Sequence, residues 1–550
     1  MVRVALRARF RGHGHGHGHG HGTSLFVLLI VLAPSSVLAS GFTDIGQDIE
    51  SESETVVRFT GALRTRFELL YNLDLDRGLT PTGQALYPTP LSDPTAQTLT
   101  HVDFRLRSDI ALVVPRASMA IKLRIDMLDN LSLGSQPDGV PSVAVSQRDA
   151  AEPIRIKRAY GEVLTPFGLL AFGRMGNHWG MGMLANGGDC ASCDSGDAAD
   201  RIAFVTPLLG HVWAVAYDFT ATGPYTARNH PRRSIDLDPW DDVRTVTFAV
   251  LNFRSDVARR RRARADLASF EYGAYVSHRR QDRDVPAHYL PIANPVAIDG
   301  AQVTARDFRA TAVDGWARLT LPYARFEVEA AYLAARIGQP SLIPGVELRD
   351  EFTSRQFGIA FQSEVGPEHA TGGGRGAAGI DAGYASGDAA PGFGALLGAR
   401  NGGPNQRAAQ PGDIDGRQAD APYDTTVNNF RFHPDYRIDR ILFREIIGTV
   451  TDTIYVRPHA RVKLADVGPG RLEASLAVIA SFAAQATSTP SGDRGLGLEI
   501  DPTLAYVTRN GFVASLEYAA LFPLSGFDNP VAGLNAKPAQ LLRFRLGLHY

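Results

Sequence analysis

The sequence predicts an all-β fold: a transmembrane antiparallel β-barrel of about eighteen strands, with short periplasmic turns and long external loops. Three observations predict it. Apolar and polar residues alternate with period two over stretches of about 10–15 residues, long for a globular strand but suited to a tilted membrane crossing. The gaps between these stretches are alternately short and long. The chain also ends on such a stretch, with Leu542, Phe544, Leu546, Leu548 and terminal Tyr550 in one phase and Arg543, Arg545 and His549 in the other.

Composition excludes several classes. The 550 residues carry a net charge of -2, whereas a nucleic-acid binder needs a basic excess. Two cysteines exclude a disulfide scaffold and an iron–sulfur protein. The one uninterrupted apolar run lies at the N-terminus. Arg3, Arg7, Arg9 and Arg11 precede Leu25 to Ala33, and Val37-Leu38-Ala39 fits a small-residue cleavage site. Residues 1–39 therefore read as a secretory signal peptide, too short in its apolar part to cross a bilayer of roughly 30 Å. It contains a Gly-His repeat (His13, His15, His17, His19, His21), which could bind a divalent metal weakly or be a low-complexity expansion. Residues 40–55 are expected to be a periplasmic N-terminal segment and residues 56–550 the barrel.

The first strands show the alternation. Val57, Phe59, Leu63, Phe67, Leu69 and Tyr71 oppose Arg58, Arg64, Arg66 and Glu68. Val102, Phe104, Leu106, Ile110 and Leu112 oppose Asp103, Arg105, Arg107 and Asp109. Met119, Ile121, Leu123, Ile125 and Met127 oppose Lys122, Arg124 and Asp126. Parity places strands at 56–72, 99–114, 117–129, 154–165, 169–176, 201–208, 211–220, 241–254, 267–279, 309–321, 324–337, 352–364, 376–386, 452–464, 471–484, 496–508, 511–524 and 540–550. Sixteen strands is the alternative, because 201–208 and 376–386 are weak. Pro115, Pro166, Pro207 and Pro322 mark inner turns, where no ladder donor is needed. An even count puts both termini in the periplasm. An arginine facing lipid at midplane costs roughly 2–4 kcal/mol, so the charged face is the lumen.

The candidate pore-lining residues are therefore Arg58, Arg64, Arg66, Glu68, Asp103, Arg105, Arg107, Asp109, Lys122, Arg124 and Asp126, with Lys157, Arg158 and Glu162 extending the set. They form either a basic strip that guides anions or a balanced wall of ion pairs. Cys190 and Cys193 fall in an external loop, Asn177 to Asp200, beside Asp189 and Asp194. A single CxxC is short of the four ligands of a closed metal site, so a local disulfide is expected and no metal or cofactor. Loop 387–451 is the longest. Its end, 431–448, repeats Ile438, Ile441, Leu442 and Ile446 at helical spacing, with Arg437, Arg440 and Arg444 on another face. A basic helix forming a pore constriction is one reading; an ordinary strand with a helical lid is the other. Arg259 to Arg262 and Arg264 fall in an inner turn that is expected to be solvated.

The segments GRMGNHWGMGMLANGGDC (173–190), GDAADRI (196–202) and NFRFHPDYRIDRILFREIIGTV (429–450) resemble an uncharacterised family of predicted Gram-negative outer-membrane barrels. That resemblance implies a porin-like barrel in the outer membrane and carries no site residue. The layout is also similar to alginate-export barrels, in architecture alone.

The leading expectation is a porin-like channel for small hydrophilic solutes, with anion preference as its finer form. Export of an anionic exopolysaccharide and a surface-binding scaffold with a plugged lumen are the alternatives. An enzyme is not expected: no convincing Ser/His/acid set falls in phase on neighbouring strands, and His101 and Ser108 are expected on one strand, facing the same lumen. Expected partners are outer-membrane lipid, the small solutes or anionic polymer, and the barrel-assembly machinery through the strand ending at Tyr550. The sequence leaves oligomeric state open.

Overall fold

A computed structural model describes residues 3–5, 29–31, 41–42, 45–46, 49, 54–83, 85–93, 95–132, 154–227, 234–288, 298–366, 376–395 and 409–550. Nearly all of the expected leader, including its Gly-His repeat and cleavage point, lies outside the described residues. The barrel strands are β1 (Val56–Tyr71), β2 (Thr98–Val114), β3 (Met119–Ser132), β4 (Arg155–Thr165), β5 (Gly168–Gly176), β6 (Ala198–Leu208), β7 (His211–Ala221), β8 (Val243–Asn252), β9 (Ser269–Gln281), β10 (Phe308–Thr320), β11 (Ala324–Ile337), β12 (Phe352–Val365), β13 (Gly376–Ala385), β14 (Thr453–Val467), β15 (Gly470–Ala483), β16 (Gly495–Thr508), β17 (Phe512–Pro523) and β18 (Ala539–His549).

Each strand pairs antiparallel with the next, and β18 returns to β1 from Gln540↔Tyr71 to His549↔Ala62. The barrel is therefore closed with eighteen strands, and the sixteen-strand alternative falls. The two weak segments are β6 and β13. β13 (GAAGIDAGYA) reads weakly because its small residues make room: a Cβ on Gly383 would meet the Tyr455 ring at 2.5 Å. Two three-residue strands of the expected leader, Arg3–Ala5 and Leu29–Val31, pair with each other, and the second lies parallel to Val56–Arg58.

The faces follow the parity. Phe59, Phe67 and Phe544 are 36%, 40% and 43% exposed on the outside, while Arg64, Arg66 and Arg543 are 4%, 5% and 4% exposed inside. An apolar exterior around a charged interior, with no open edge, is the arrangement a bilayer demands of strands. The chain is a transmembrane barrel of the outer-membrane type. No helix among the described residues is long and apolar enough to cross a membrane.

Departures from strict alternation have local causes. Register shifts at Phe104/Leu106 (β2–β3) and Arg124/Ile125 (β3–β4) each absorb a bulge. Ser108 does not face the lumen: it pairs with Gly61 in the outward phase, and its Oγ lies 2.8 Å from the Tyr550 hydroxyl. The arginine-rich turn contains a helix, α1 (Asp256–Arg264), capped by Ser255.

The largest apolar core lies inside the barrel, because chain from the loops folds into the lumen. It joins Phe393, Phe430, Phe432, Ile441, Leu442 and Ile446 to wall residues such as Leu70, Ile479 and Leu541. Described residues of the N-terminal segment also contribute. Phe42 is buried against Trp179, and Ile49 packs with Val113 and Leu169. Burial of such side chains draws the segment in from the short-turn end.

Candidate functional site: a constriction of two infolded loops

On the wall of β1–β4 most lumen-facing bases have an acid within reach, as the low-dielectric interior requires. Arg66 binds Asp103 at 2.9 Å, and Arg64 reaches the same carboxylate at 3.5 Å. Arg107 and Asp126 form a two-pronged pair at 2.7 Å, Arg124 meets Asp109 at 2.6 Å, and Lys122 meets Glu162 at 3.0 Å. Glu68 binds Arg543 across the β18–β1 seam at 2.5 Å. Arg58 sits lower on the same face, half-buried. Arg105 departs from this pattern: it donates to the Cys193 carbonyl at 2.7 Å, while its carboxylate neighbour, Asp129, is 3.8 Å away.

The loop 177–197, expected outside, is folded into the barrel. Its polar groups satisfy the wall: Arg107 donates to Gly188 O at 2.7 Å, Arg64 to Ala191 O at 3.2 Å, and Asp189 pairs with Arg158 at 2.9 Å and with Arg124. Cys190 and Cys193 are joined by a disulfide, which closes the turn presenting these carbonyls. From the opposite wall, Glu329 of β11 accepts from Leu184 N at 3.2 Å and from Met181 N, and Asp314 accepts from Trp179 Nε1 at 2.9 Å. The loop is inside because carboxylates and arginines of both walls take its backbone and side chains.

Segment 430–450 lies against this loop. Asp435 accepts from Asp194 N and Ser195 N, both at 2.9 Å, and His433 N donates to Met183 O at 2.7 Å. The expected basic helix shrinks to one π-turn, Leu442–Ile446. Its entry is held by Glu499 of β16, whose carboxylate accepts from Arg440 N, Ile441 N and Leu442 N at 2.9, 2.8 and 3.0 Å. That clamp fixes the local geometry more strongly than helical spacing can.

Arg437 and Arg444 reach Asp194 at 2.9 and 3.3 Å, and Arg64 and Arg66 reach it from the wall at 3.0 and 2.9 Å. Arg440 points elsewhere, toward Glu517 at 3.4 Å and Thr503 at 2.6 Å. Burial disfavours the Asp194 anion, but Arg66, Arg437, Arg64 and Arg444 outweigh it and hold the carboxyl well below the usual range. Arg444 is pulled down to about 9 by burial and by Arg543 and Arg437. The structure thus brings Arg64, Arg66, Arg437 and Arg444 to one carboxylate.

Asp194, Asp435, Glu329 and Glu499 escape a reading of the sequence. Asp194 stands out there only as a neighbour of the CxxC, and Glu329 and Glu499 only as acids in lumen phase. Among the described residues, no group of three or more His, Cys, Asp or Glu side chains is placed to hold a metal. Beside the loop 177–197, toward the external end, a cavity of about 580 Å³ is lined by Lys157, Arg174, Asp197, Asp218, Tyr275 and Arg279 among others.

No protein-family model matches the chain, and no curated protein does. Solved structures similar to it include Pseudomonas aeruginosa OpdK with vanillate, at 10% identity over 90% of this chain and 98% of that one, TM-score 0.43. A BenF-like porin from Pseudomonas fluorescens is similar at 7% identity over 90% and 98% of the two chains, TM-score 0.43. The outer-membrane channel DcaP of Acinetobacter baumannii is similar at 10% identity over 91% and 99%, TM-score 0.35.

Proposed function

We propose that this chain is a channel of the Gram-negative outer membrane for small hydrophilic solutes, with anions favoured. The observation that carries the reading is the constriction: a charged barrel wall faced by two infolded loops, with arginines from both sides gathered at Asp194. Such paired charge sets a transverse field that sorts small solutes. The role is transport without catalysis, and barrel assembly runs through the strand ending at Tyr550.

The test is planar-bilayer recording of refolded residues 40–550 under a salt gradient. Discrete conductance with an anion-leaning reversal potential is expected. A silent bilayer from protein shown to be folded and inserted sinks the channel. It would favour a second reading, a plugged scaffold that binds at the surface, for which the apolar cluster of Phe393, Phe430, Phe432 and Ile441 inside the lumen speaks. Export of an anionic polymer would further require both infolded loops to swing out of the lumen.

A further inference from the structure

Helix α1 is unusual for its composition and its position. It spans nine residues, DVARRRRAR, in the turn between β8 and β9, on the same end of the barrel as both chain termini and the short turns. Short turns mark the periplasmic side of such barrels. The helix has two faces. Residues 258, 259, 262 and 263 turn inward: Ala263 is 3% exposed, Arg259 pairs with Glu271 at 3.1 Å, and Arg262 donates to the Ala268 carbonyl at 2.7 Å. Those contacts fasten the helix to the base of the barrel. Residues 257, 260, 261 and 264, at the i, i+3, i+4, i+7 spacing, form the outward face. Val257 is 68% exposed, and Arg260, Arg261 and Arg264 are exposed without an ion pair among the described residues.

The surroundings continue the lipid-facing belt. Leu267 is 50% and Phe270 54% exposed at the foot of β9. At the ends of neighbouring strands, Leu209 is 83%, Tyr323 59% and Phe167 83% exposed. Exposed aromatic and aliphatic side chains at strand ends mark the level where acyl chains meet headgroups. Three exposed guanidiniums at that level, beside an exposed valine and leucine, match a surface that is apolar above and phosphate-bearing below. Guanidinium suits phosphate through its planar fork of donors.

We propose that the outward face of α1 binds the phosphate headgroups of anionic phospholipid in the periplasmic leaflet, with Arg260, Arg261 and Arg264 as the binding residues. The inward contacts through Arg259 and Arg262 pre-order these three, so binding need not first fold the turn. An exposed arginine near an anionic surface strengthens attachment by about fivefold, so three give on the order of a hundredfold.

The experiment measures binding of a fluorescent short-chain phosphatidylglycerol to refolded residues 40–550 in neutral detergent, with phosphatidylcholine as control. The expected result is saturable phosphatidylglycerol binding that weakens with salt and falls about a hundredfold in R260Q/R261Q/R264Q, with R260K/R261K/R264K retaining most of it. Heat-modifiable gel mobility confirms that both variants fold. Equal binding by wild type and the glutamine variant overturns the proposal. So does displacement by inorganic phosphate at the lipid's own concentration, or capture of soluble polygalacturonate with no preference for phosphatidylglycerol, which would make the face a site for an acidic polymer. None of these outcomes depends on whether the barrel conducts.

Discussion

Glu499 on β16 accepts a hydrogen bond from the backbone N–H of Ile441 at 2.8 Å, which joins the barrel wall to the turn carrying Arg440 and Arg444. With Arg440 N and Leu442 N the same carboxylate takes three successive donors, and it is 1% exposed. Glu499→Gln keeps the shape but turns one of the two acceptor oxygens into an N–H donor, so at least one of these bonds is lost, at a cost of about 1–3 kcal/mol to the attachment of the turn. The expected outcome is a larger or flickering single-channel conductance, and deletion of 431–448 should enlarge it further. Conductance unchanged in both would show that this segment does not narrow the path.

Asp194 is shared by Arg64, Arg66, Arg437 and Arg444 and is 22% exposed at the side chain. Asp194→Asn leaves four guanidiniums facing one another around a neutral amide. Breaking a fully buried pair costs about 3–5 kcal/mol, and the partial exposure of Asp194 places the loss at or below the lower end. The reversal potential under a salt gradient should move further toward anions, with thermal stability in detergent reduced. A shift toward cations would contradict the assignment of this cluster to the conducting path.

The sign of the Asp194 shift makes a pH statement. A carboxyl depressed by its arginines contributes stability that is present above the unfolded pKa, near 4, and is lost only as pH falls below that. Selectivity set by Asp194 should therefore be flat from pH 8 to pH 5. A selectivity change within that window, abolished in Asp194→Asn, would contradict the geometry.

Asp452, at the base of the long loop, behaves in the opposite sense. Burial first, and then the Asp388 charge, push it up to about 7, against the hydrogen bonds from Ser488 and Gln485 and the Arg494 charge. A raised carboxyl contributes stability that is complete below its unfolded pKa and is lost as pH rises through about 7. Wild-type thermal stability should fall between pH 4 and pH 8. Asp452→Asn should flatten that slope and gain on the order of 2 kcal/mol at pH 8. Parallel slopes in the two proteins would sink this account.

The barrel was legible because its rule is local. Arg64 and Phe67 reveal their faces by parity alone, and the lipid-facing cost of a misplaced arginine enforces that parity. Strand β13 reads faintly because Gly379 and Gly383 give up apolar signal where a side chain would meet Ser363 O or the Tyr455 ring of the neighbouring strands. The constriction was less legible because its contacts are distant in sequence: Arg66 and Asp194 are 128 residues apart, and Arg444 and Asp194 are 250 apart. The helical spacing of Ile438 to Ile446 reflected burial on one side, which the Glu499 clamp resolves as a π-turn. Bulges in β3 and in β4 change phase in a way that no alternation count detects.

The closing seam offers the last prediction. Tyr550 N donates to Gly61 O at 3.1 Å and Gly61 N to Tyr550 O at 3.0 Å, while the tyrosine ring lies beside Phe59 with centroids 5.3 Å apart. Glycine at 61 is required by this approach, since a Cβ there would meet the Arg107 carbonyl at 2.2 Å and the Tyr550 hydroxyl at 2.5 Å. Gly61→Ala should cost about 1–3 kcal/mol by overpacking and lower the fraction of refolded protein showing heat-modifiable mobility. Tyr550→Ala removes the ring but leaves the Arg107 carbonyl in place. The double variant should therefore recover only part of the yield lost by Gly61→Ala. Full folding of Gly61→Ala with native stability would mean that the seam does not depend on this contact.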